Sequence, residues 1–257
     1  MAFLIVGHCL RGDSVPHWLH AATMERLAKP CQFAHIYETH TFDIGRSRQL
    51  VAEMFLKVPE ATHLLFVDDD IVIPKDDSLI RMFHVLEKLN ASIVSGLYNR
   101  RDQTGIERDG IPLIMMCKDE GNGKLAFCFP FAQKLVPPKK LIKVDIVPAG
   151  FLLIKREVFE KIPAPWFVYG SSEFAEKHGE DVYFSLKAAK HGFSLWVDTY
   201  VELLHFVPQF IGNPELIKLV LRDSASLPMQ LEEMRRCLSK KTENARNADG
   251  NSAATYV

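Results

Sequence analysis

Three consecutive carboxylates, Asp68, Asp69 and Asp70, stand directly between the apolar runs Leu64-Leu65-Phe66-Val67 and Ile71-Val72-Ile73. The first run reads as a strand buried on both faces of a helix-covered sheet. Buried carboxylates are costly unless paired or metal-bound, which puts the three acids just past the strand's carboxyl end. In open α/β sheets that edge is where ligands bind. Asp68 and Asp70 alternate along the backbone, so they offer two hard oxygen donors on one side, a pattern suited to Mg²⁺ or Mn²⁺. A solvated acidic turn is the plain alternative, and apolar flanks on both sides count against it. Asp76-Asp77 fits such a helix-capping turn better.

A second acidic pair, Glu180-Asp181, follows Gly179 and opens a helical stretch. Capping explains an acid pair at a helix start by itself, because anions are favoured there. This pair also follows an aromatic loop with Trp166, Phe167 and Tyr169, and precedes His205 in Leu203-Leu204-His205-Phe206. A lone histidine among apolar residues is ordinarily a core residue; an acidic cluster short of a ligand makes His205 a metal candidate. Arg46 and Arg48 open the helix after the second strand, and Arg100 and Arg101 follow the fourth. Both pairs fall at carboxyl ends of strands, where forked guanidinium donors suit phosphate oxygens.

The elements that must position these residues alternate. Residues 3–7 form a strand, 16–29 a helix opened by Pro16, and 32–37 a strand. A helix over 46–57 capped near Asp43 precedes the acidic strand, and a helix over 77–89 and a strand over 92–96 follow it. Strand-helix alternation of this kind is a parallel, doubly wound pattern. The rhythm then changes. Residues 98–110 are polar and arginine-rich, and 112–117 and 124–129 read as short strands around a Gly-Asn-Gly turn. Further strands are expected at 144–147, 151–155 and 194–197, and helices at 156–161 and 180–191, the latter ended by Gly192. Residues 162–179 read as a loop, 214–222 and 227–238 as helices, and 240–257 as a disordered polar tail. One domain is thus expected over 1–239, in three parts, 1–100, 101–206 and the C-terminal helices 207–239.

Composition narrows the class. The net charge of −1 argues against a general nucleic-acid binder, which carries a basic excess. No apolar run reaches the length of a membrane span, so only peripheral membrane contact stays open, as does self-association. The five cysteines are odd in number and lack a Cys-x-x-Cys pair, which fits reduced thiols in the cytoplasm.

Taken in order, Ser47-Arg48-Gln49-Leu50-Val51, the Asp-x-Asp at 68–70, Ala149-Gly150-Phe151-Leu152-Leu153-Ile154, the Gly-Glu-Asp at 179–181 and the late His205 resemble the GT-A-fold glycosyltransferases, close in pattern to family 2. The resemblance implies a Rossmann-type three-layer α/β/α sandwich with a mostly parallel central sheet. It also implies a UDP- or GDP-sugar donor with a Mn²⁺ or Mg²⁺ cofactor, and a glycan, lipid-linked or protein acceptor. By that resemblance Asp68 lies near the donor ribose, with Asp69, Arg48, Arg100 and Gly150 bordering the donor. Asp70, His205 and Asp68 hold the metal, and Asp181 or Glu180 meets the acceptor hydroxyl. Asp181 is the first choice of base if the configuration inverts. Trp166 and Tyr169 border the acceptor, or Trp166 packs the loop onto the sheet. Ser47 and Gln49 depart from the family's usual Ala and Asn. Two other readings stand beside this one. In a haloacid-dehalogenase-like phosphohydrolase Asp68 would be the nucleophile, with Ser95 in a second motif. In a nucleotide-sugar-binding protein the same site would be catalytically silent.

Overall fold

The computed structural model describes residues 2–11, 18–40, 43–99, 111–119, 125–131, 136–170, 178–206 and 210–211. Two compact units divide the chain, Met1–Asn213 and Pro214–Val257. The second unit lies outside the described residues, and with it the helices expected at 214–222 and 227–238 and the tail from 240.

In chain order the first half runs β1 (Phe3–Arg11), α1 (Trp18–Arg26), β2 (Gln32–His40), α2 (Ile44–Leu56), β3 (His63–Asp68), β4 (Ile71–Val72), α3 (Ser78–Lys88) and β5 (Ile93–Leu97). The second half runs β6 (Met116–Asp119), β7 (Leu125–Cys128), β8 (Leu141–Val144), β9 (Phe151–Lys155), α4 (Arg156–Lys161), α5 (Glu180–Lys190), β10 (Leu195–Glu202), β11 (Leu204–Phe206) and β12 (Phe210–Ile211). Seven strands form the central sheet in the order β2-β1-β3-β9-β5-β10-β8. β2, β1, β3, β5 and β10 run one way, and β9 and β8 run against them. The sheet is mostly parallel, within a GT-A-like Rossmann-type α/β architecture.

Alternation along the strands builds the three layers, because successive side chains leave a strand on opposite faces. Leu64 and Phe66 of β3 join a core with Val51, Ala52 and Phe55 of α2 and Phe184 of α5. Leu65 and Val67 join the opposite core with Met24 of α1 and Met82, Val85 and Leu86 of α3. β9 repeats the pattern, with Leu152 and Ile154 on the first face and Phe151 and Leu153 on the second. α2 begins where expected, since the Asp43 carboxylate accepts from the Arg46 N–H at 3.2 Å. α5 ends before Gly192, whose φ of +84° suits a residue without a side chain.

Several expectations change, and the strand expected at 112–117 lies later, at Met116–Asp119. The strand expected at 144–147 lies earlier, at Leu141–Val144, where it finds β10 as an antiparallel partner. β10 runs on to Glu202 rather than ending at Val197, past a register shift against β5. Asp77 occupies the N-cap of α3 without capping it through its side chain; that carboxylate accepts from the Tyr200 hydroxyl.

One ion pair fastens α3 to β10. Arg81 Nε lies 2.7 Å from Asp198 Oδ2, and Asp198 is fully buried. The other oxygen of Asp198 accepts from the Tyr200 N–H at 3.0 Å. Arg81→Ala strands this carboxylate in the interior and is expected to cost about 2–3 kcal/mol, below the usual range because Arg81 is partly hydrated. Urea unfolding checks this, and an unchanged midpoint would show that water replaces the guanidinium.

Candidate active site at the carboxyl edge of the sheet

The buried stripe of α2 comprises Gly45, Ser47, Arg48, Val51, Ala52 and Phe55. Helical spacing therefore turns Arg48 inward among apolar neighbours, and only 3% of its side chain is exposed. Three of its five N–H groups meet carboxylate oxygens. Nη1 and Nη2 donate to Asp68 Oδ1 and Oδ2 at 2.8 and 3.1 Å, and Nε donates to Glu180 Oε1 at 3.1 Å. Burial works against the charge, and the carboxylates of Asp68 and Glu180 outweigh it, so the guanidinium stays cationic. One buried cation thus joins the end of β3 to the first turns of α2 and α5.

Arg48 is an internal counter-ion, turned away from solvent. Asp68 accepts from Arg48 through both of its oxygens. The phosphohydrolase alternative weakens for the same reason, since its nucleophile would be this engaged carboxylate. Ser95 of its second motif is buried, and its hydroxyl donates to the Pro148 carbonyl at 2.7 Å.

The metal candidates come together by strand pairing. β4 directly follows the aspartates and pairs antiparallel with β11, setting His205 opposite Ile71. The Phe206 N–H donates to the Asp70 carbonyl at 2.7 Å, which closes the same junction. His205 Nδ1 lies 3.0 Å from the Asn99 carbonyl, which only accepts, so Nδ1 carries hydrogen. Nε2 then faces Asp70 Oδ2 at 3.6 Å. A backbone carbonyl on the far nitrogen is the usual support for a ligating imidazole. Among the described residues no group of three His, Cys, Asp or Glu side chains is assembled for a metal. A hard divalent ion held by this pair would take its remaining ligands from outside these two side chains.

Gly150 forms the wall between these groups. Its carbonyl accepts from the Asp68 N–H at 2.9 Å, and its own N–H donates to Tyr98 Oη at 2.8 Å. A Cβ on Gly150 would lie 2.6 Å from Tyr98 Oη, so a side chain has no room there. Tyr98 itself is 6% exposed and meets the His205 ring edge-on at 5.3 Å. Burial, then the charges of Asp68 and Asp181, pushes the phenol well above its ordinary range.

Glu180 and Asp181 divide their work. Glu180 is buried against Arg48, whereas Asp181 is half-buried and accepts from the Val182 N–H at 2.8 Å. Lost hydration, followed by the charge of Glu180 beside it, pushes Asp181 up to about 7, against the pull of Arg48. Asp69 is buried in the turn after β3, where its charge acts on His20 of α1. Arg100 lies outside the described residues.

Trp166 is a buried side chain. It is 6% exposed, its indole N–H donates to the Ile162 carbonyl at 2.7 Å, and it meets Phe159 edge-on. Gln49, one of the two departures from the family pattern, accepts from the Trp166 N–H at 2.8 Å and so fastens the aromatic loop to α2. Tyr169 remains 66% exposed. A cavity of about 420 Å³ lies elsewhere, between α1 and β2, lined in part by His8, His20, Phe33, His35 and Tyr37 and by none of the expected site residues.

Tyr98 and Gln49 were not singled out in the sequence. Tyr98 directly follows β5 at the sheet's carboxyl edge, a position that could have flagged it. Gln49 carried only its departure from the family pattern.

No family model matches the chain, and no curated protein matches it. Among solved structures it resembles the crystal structure of A197 from STIV, with a TM-score of 0.54 and 18% identity over 80% of this chain and 86% of that one. It is also similar to a structure of GalNAc-T7 with UDP, GalNAc and Mn²⁺, with a TM-score of 0.47 and 11% identity over 80% of this chain and 44% of that one. The likeness to A197 is one of fold.

Asp181 yields a pH prediction. Its folded value of about 7 exceeds the ~4 of an unfolded aspartate, so between those values the folded state holds a proton that the unfolded state releases. Its contribution to stability therefore falls as pH rises through that window and levels off above it. Asp181→Asn is expected to raise the melting temperature at neutral pH, with the gain vanishing near pH 4. Equal melting curves for both proteins at pH 7.5 would show that Asp181 ionises without cost.

Proposed function

We propose that this chain is a glycosyltransferase that moves a sugar from a UDP- or GDP-sugar to a glycan, lipid-linked or protein acceptor, with Mn²⁺ or Mg²⁺ held by Asp70 and His205. The observation that carries the reading is the meeting of His205 Nε2 and Asp70 Oδ2 at 3.6 Å, with the far nitrogen of His205 anchored on the Asn99 carbonyl. An imidazole oriented in this way beside a carboxylate at the ligand-binding edge of an α/β sheet suits a divalent ion. Such an ion, when bound, offsets the charge that develops on a diphosphate leaving group.

The rest falls to the chain's own groups. Arg48 holds Asp68 in one orientation, so that its carboxylate borders the donor without collapsing into the interior. Asp181 accepts the proton of the attacking hydroxyl, and a value near 7 suits that task at neutral pH. The acceptor oxygen bonds to the anomeric carbon as the bond from that carbon to the diphosphate oxygen breaks. The electron pair leaves with the nucleoside diphosphate, and the proton passes to Asp181. A single displacement of this kind inverts configuration. Tyr169, which stays exposed, lines the acceptor side.

A cytoplasmic setting is supported by the free thiols of Cys9, Cys31, Cys117 and Cys128. No described helix is long and apolar enough to cross a membrane.

Calorimetry with UDP-glucose, UDP-N-acetylglucosamine and GDP-mannose tests the reading. At least one should bind in Mn²⁺ and weaken tenfold or more in excess chelator. Asp70→Ala should keep the circular dichroism spectrum and lose about 10³-fold in turnover, measured as donor hydrolysis without acceptor. Metal-independent binding, or normal turnover in a folded variant, would overturn the assignment. Tight binding without hydrolysis by the wild type would favour the catalytically silent reading.

A further inference from the structure

Three histidines and two exposed aromatic rings line the cavity of about 420 Å³ between α1 and β2. β2 is an edge strand of the central sheet. α1 is fastened on the other side, where His20 Nδ1 donates to the Ile71 carbonyl at 2.8 Å and Thr23 Oγ1 accepts from the Ile73 N–H at 3.3 Å. These bonds tie α1 to β4 and leave Phe33 and Tyr37 of β2 exposed. Tyr37 stacks on His8 with ring centroids 4.4 Å apart, and Phe33 meets His35 edge-on at 5.3 Å. A wall of flat rings beside a cavity of this size suits a small planar ligand.

The polar part of this wall has a defined sense. His8 Nε2 and His35 Nδ1 lie 2.9 Å apart and share one hydrogen. Burial, then the neighbouring His20 and His35, lowers His8 to about 3, and burial lowers His35 as well, so the pair is neutral at pH 7. His8 Nδ1 is buried without a partner among the described residues. Interiors tolerate a bare acceptor better than an orphaned N–H, which puts the His8 hydrogen on Nε2. His8 therefore donates to His35, and the hydrogen of His35 sits on its own Nε2. His35 is exposed, and its Nε2 makes no hydrogen bond among the described residues. The pair thus offers one N–H donor at the cavity wall.

Charge then narrows the ligand. The Lys29 ammonium is already given to the Met24 and Leu27 carbonyls at 2.8 and 2.9 Å. An anion therefore finds an N–H but no uncommitted ammonium among the lining residues, and Glu25 stands in the same wall. A cation finds a donor hydrogen and the Lys29 charge, which lies 5.1 Å from the Phe33 ring. A neutral ring that carries an acceptor meets neither difficulty.

We propose that this cavity is a second binding site, taking a neutral heteroaromatic ring with a carbonyl or ring-nitrogen acceptor, stacked on Tyr37 and hydrogen-bonded to the His35 Nε2–H. None of the residues expected at the carboxyl edge lines it, so the inference stands apart from the glycosyltransferase reading.

Nicotinamide is the probe, with nicotinate, 1-methylnicotinamide and cyclohexanecarboxamide as its anionic, cationic and non-aromatic comparators. NMR titration of the full chain should give nicotinamide a millimolar Kd, with shifts at Phe33, His35 and Tyr37, and each comparator should bind about threefold more weakly or worse. Tyr37→Ala, at an exposed position, should weaken nicotinamide about 3–10-fold by removing the stack. His35→Phe should weaken it by about the same factor by removing the donor. Histidine ¹⁵N shifts of the ligand-free protein at pH 7 should place hydrogen on Nε2 of both His8 and His35, a readout that needs no variant. Hydrogen on Nδ1 of either ring overturns the proposal. So does the absence of nicotinamide binding, equal or tighter binding of any comparator, or unchanged affinity in either variant. Saturating UDP or GDP with Mn²⁺ should leave nicotinamide binding as it was. Displacement by either would make the cavity part of the donor site and overturn the proposal of a second one.

Discussion

A single guanidinium, buried among apolar side chains, sets the conditions for everything at the carboxyl edge of this sheet. Arg48 cannot shed its charge, and in the interior it needs carboxylates at hydrogen-bonding distance. Asp68 and Glu180 supply them, from the end of β3 and the start of α5. Removing either partner from such a pair costs about 3–5 kcal/mol, because a charge remains without compensation. Two consecutive elements, α2 and β3, and the distant α5 are therefore held in one arrangement by electrostatics, where apolar packing alone would tolerate small slides. The geometry is bidentate at Asp68, which fixes the plane of that carboxylate as well as its position.

The groups around this pair inherit its precision. With Asp68 fixed, its backbone N–H meets the Gly150 carbonyl, and Gly150 in turn meets Tyr98. With Glu180 committed to Arg48, Asp181 stands beside a fixed negative charge in a poorly hydrated place, which moves its proton affinity towards neutrality. Adjacent carboxylates thus differ through their surroundings: Glu180 is a counter-ion, and Asp181 holds its proton more tightly than a free aspartate. The division follows from which of them reaches the guanidinium, a matter of helix phase at the first turn of α5.

The short sheet formed by β4, β11 and β12 is the second constraint. Two residues of β4 are enough to carry the aspartate turn to β11, because the Phe206 N–H closes on the Asp70 carbonyl. The side chains of Asp70 and His205 then meet as a consequence of backbone pairing. A site built on strand register in this way is less tolerant of drift than one built on loops.

The sequence by itself determined the layered α/β class, through strands and helices that alternate over the first hundred residues, and the placement of three aspartates at the end of a buried strand. It also located Glu180-Asp181 at a helix start, His205 as a polar residue in an apolar segment, and Gly192 as a helix stop. Those features are local, and periodicity or turn chemistry reveals them. What only the tertiary structure decided is who meets whom. β9 inserts between β3 and β5 against their direction, which no local pattern encodes, and this insertion brings Gly150 to Asp68. Arg48 was legible as an arginine near a helix start; its inward phase, on the stripe with Val51 and Phe55, becomes decisive only once partners exist to neutralise it. The neighbours of Trp166, Phe159 and the Ile162 carbonyl, were likewise not legible from its place in an aromatic loop. Tyr98 gave only its position, because a tyrosine after an apolar strand is ordinary until Gly150 and His205 arrive beside it from distant parts of the chain. Local propensity writes elements into the sequence, whereas pairing between distant side chains depends on free energies that exist only when the whole fold has formed.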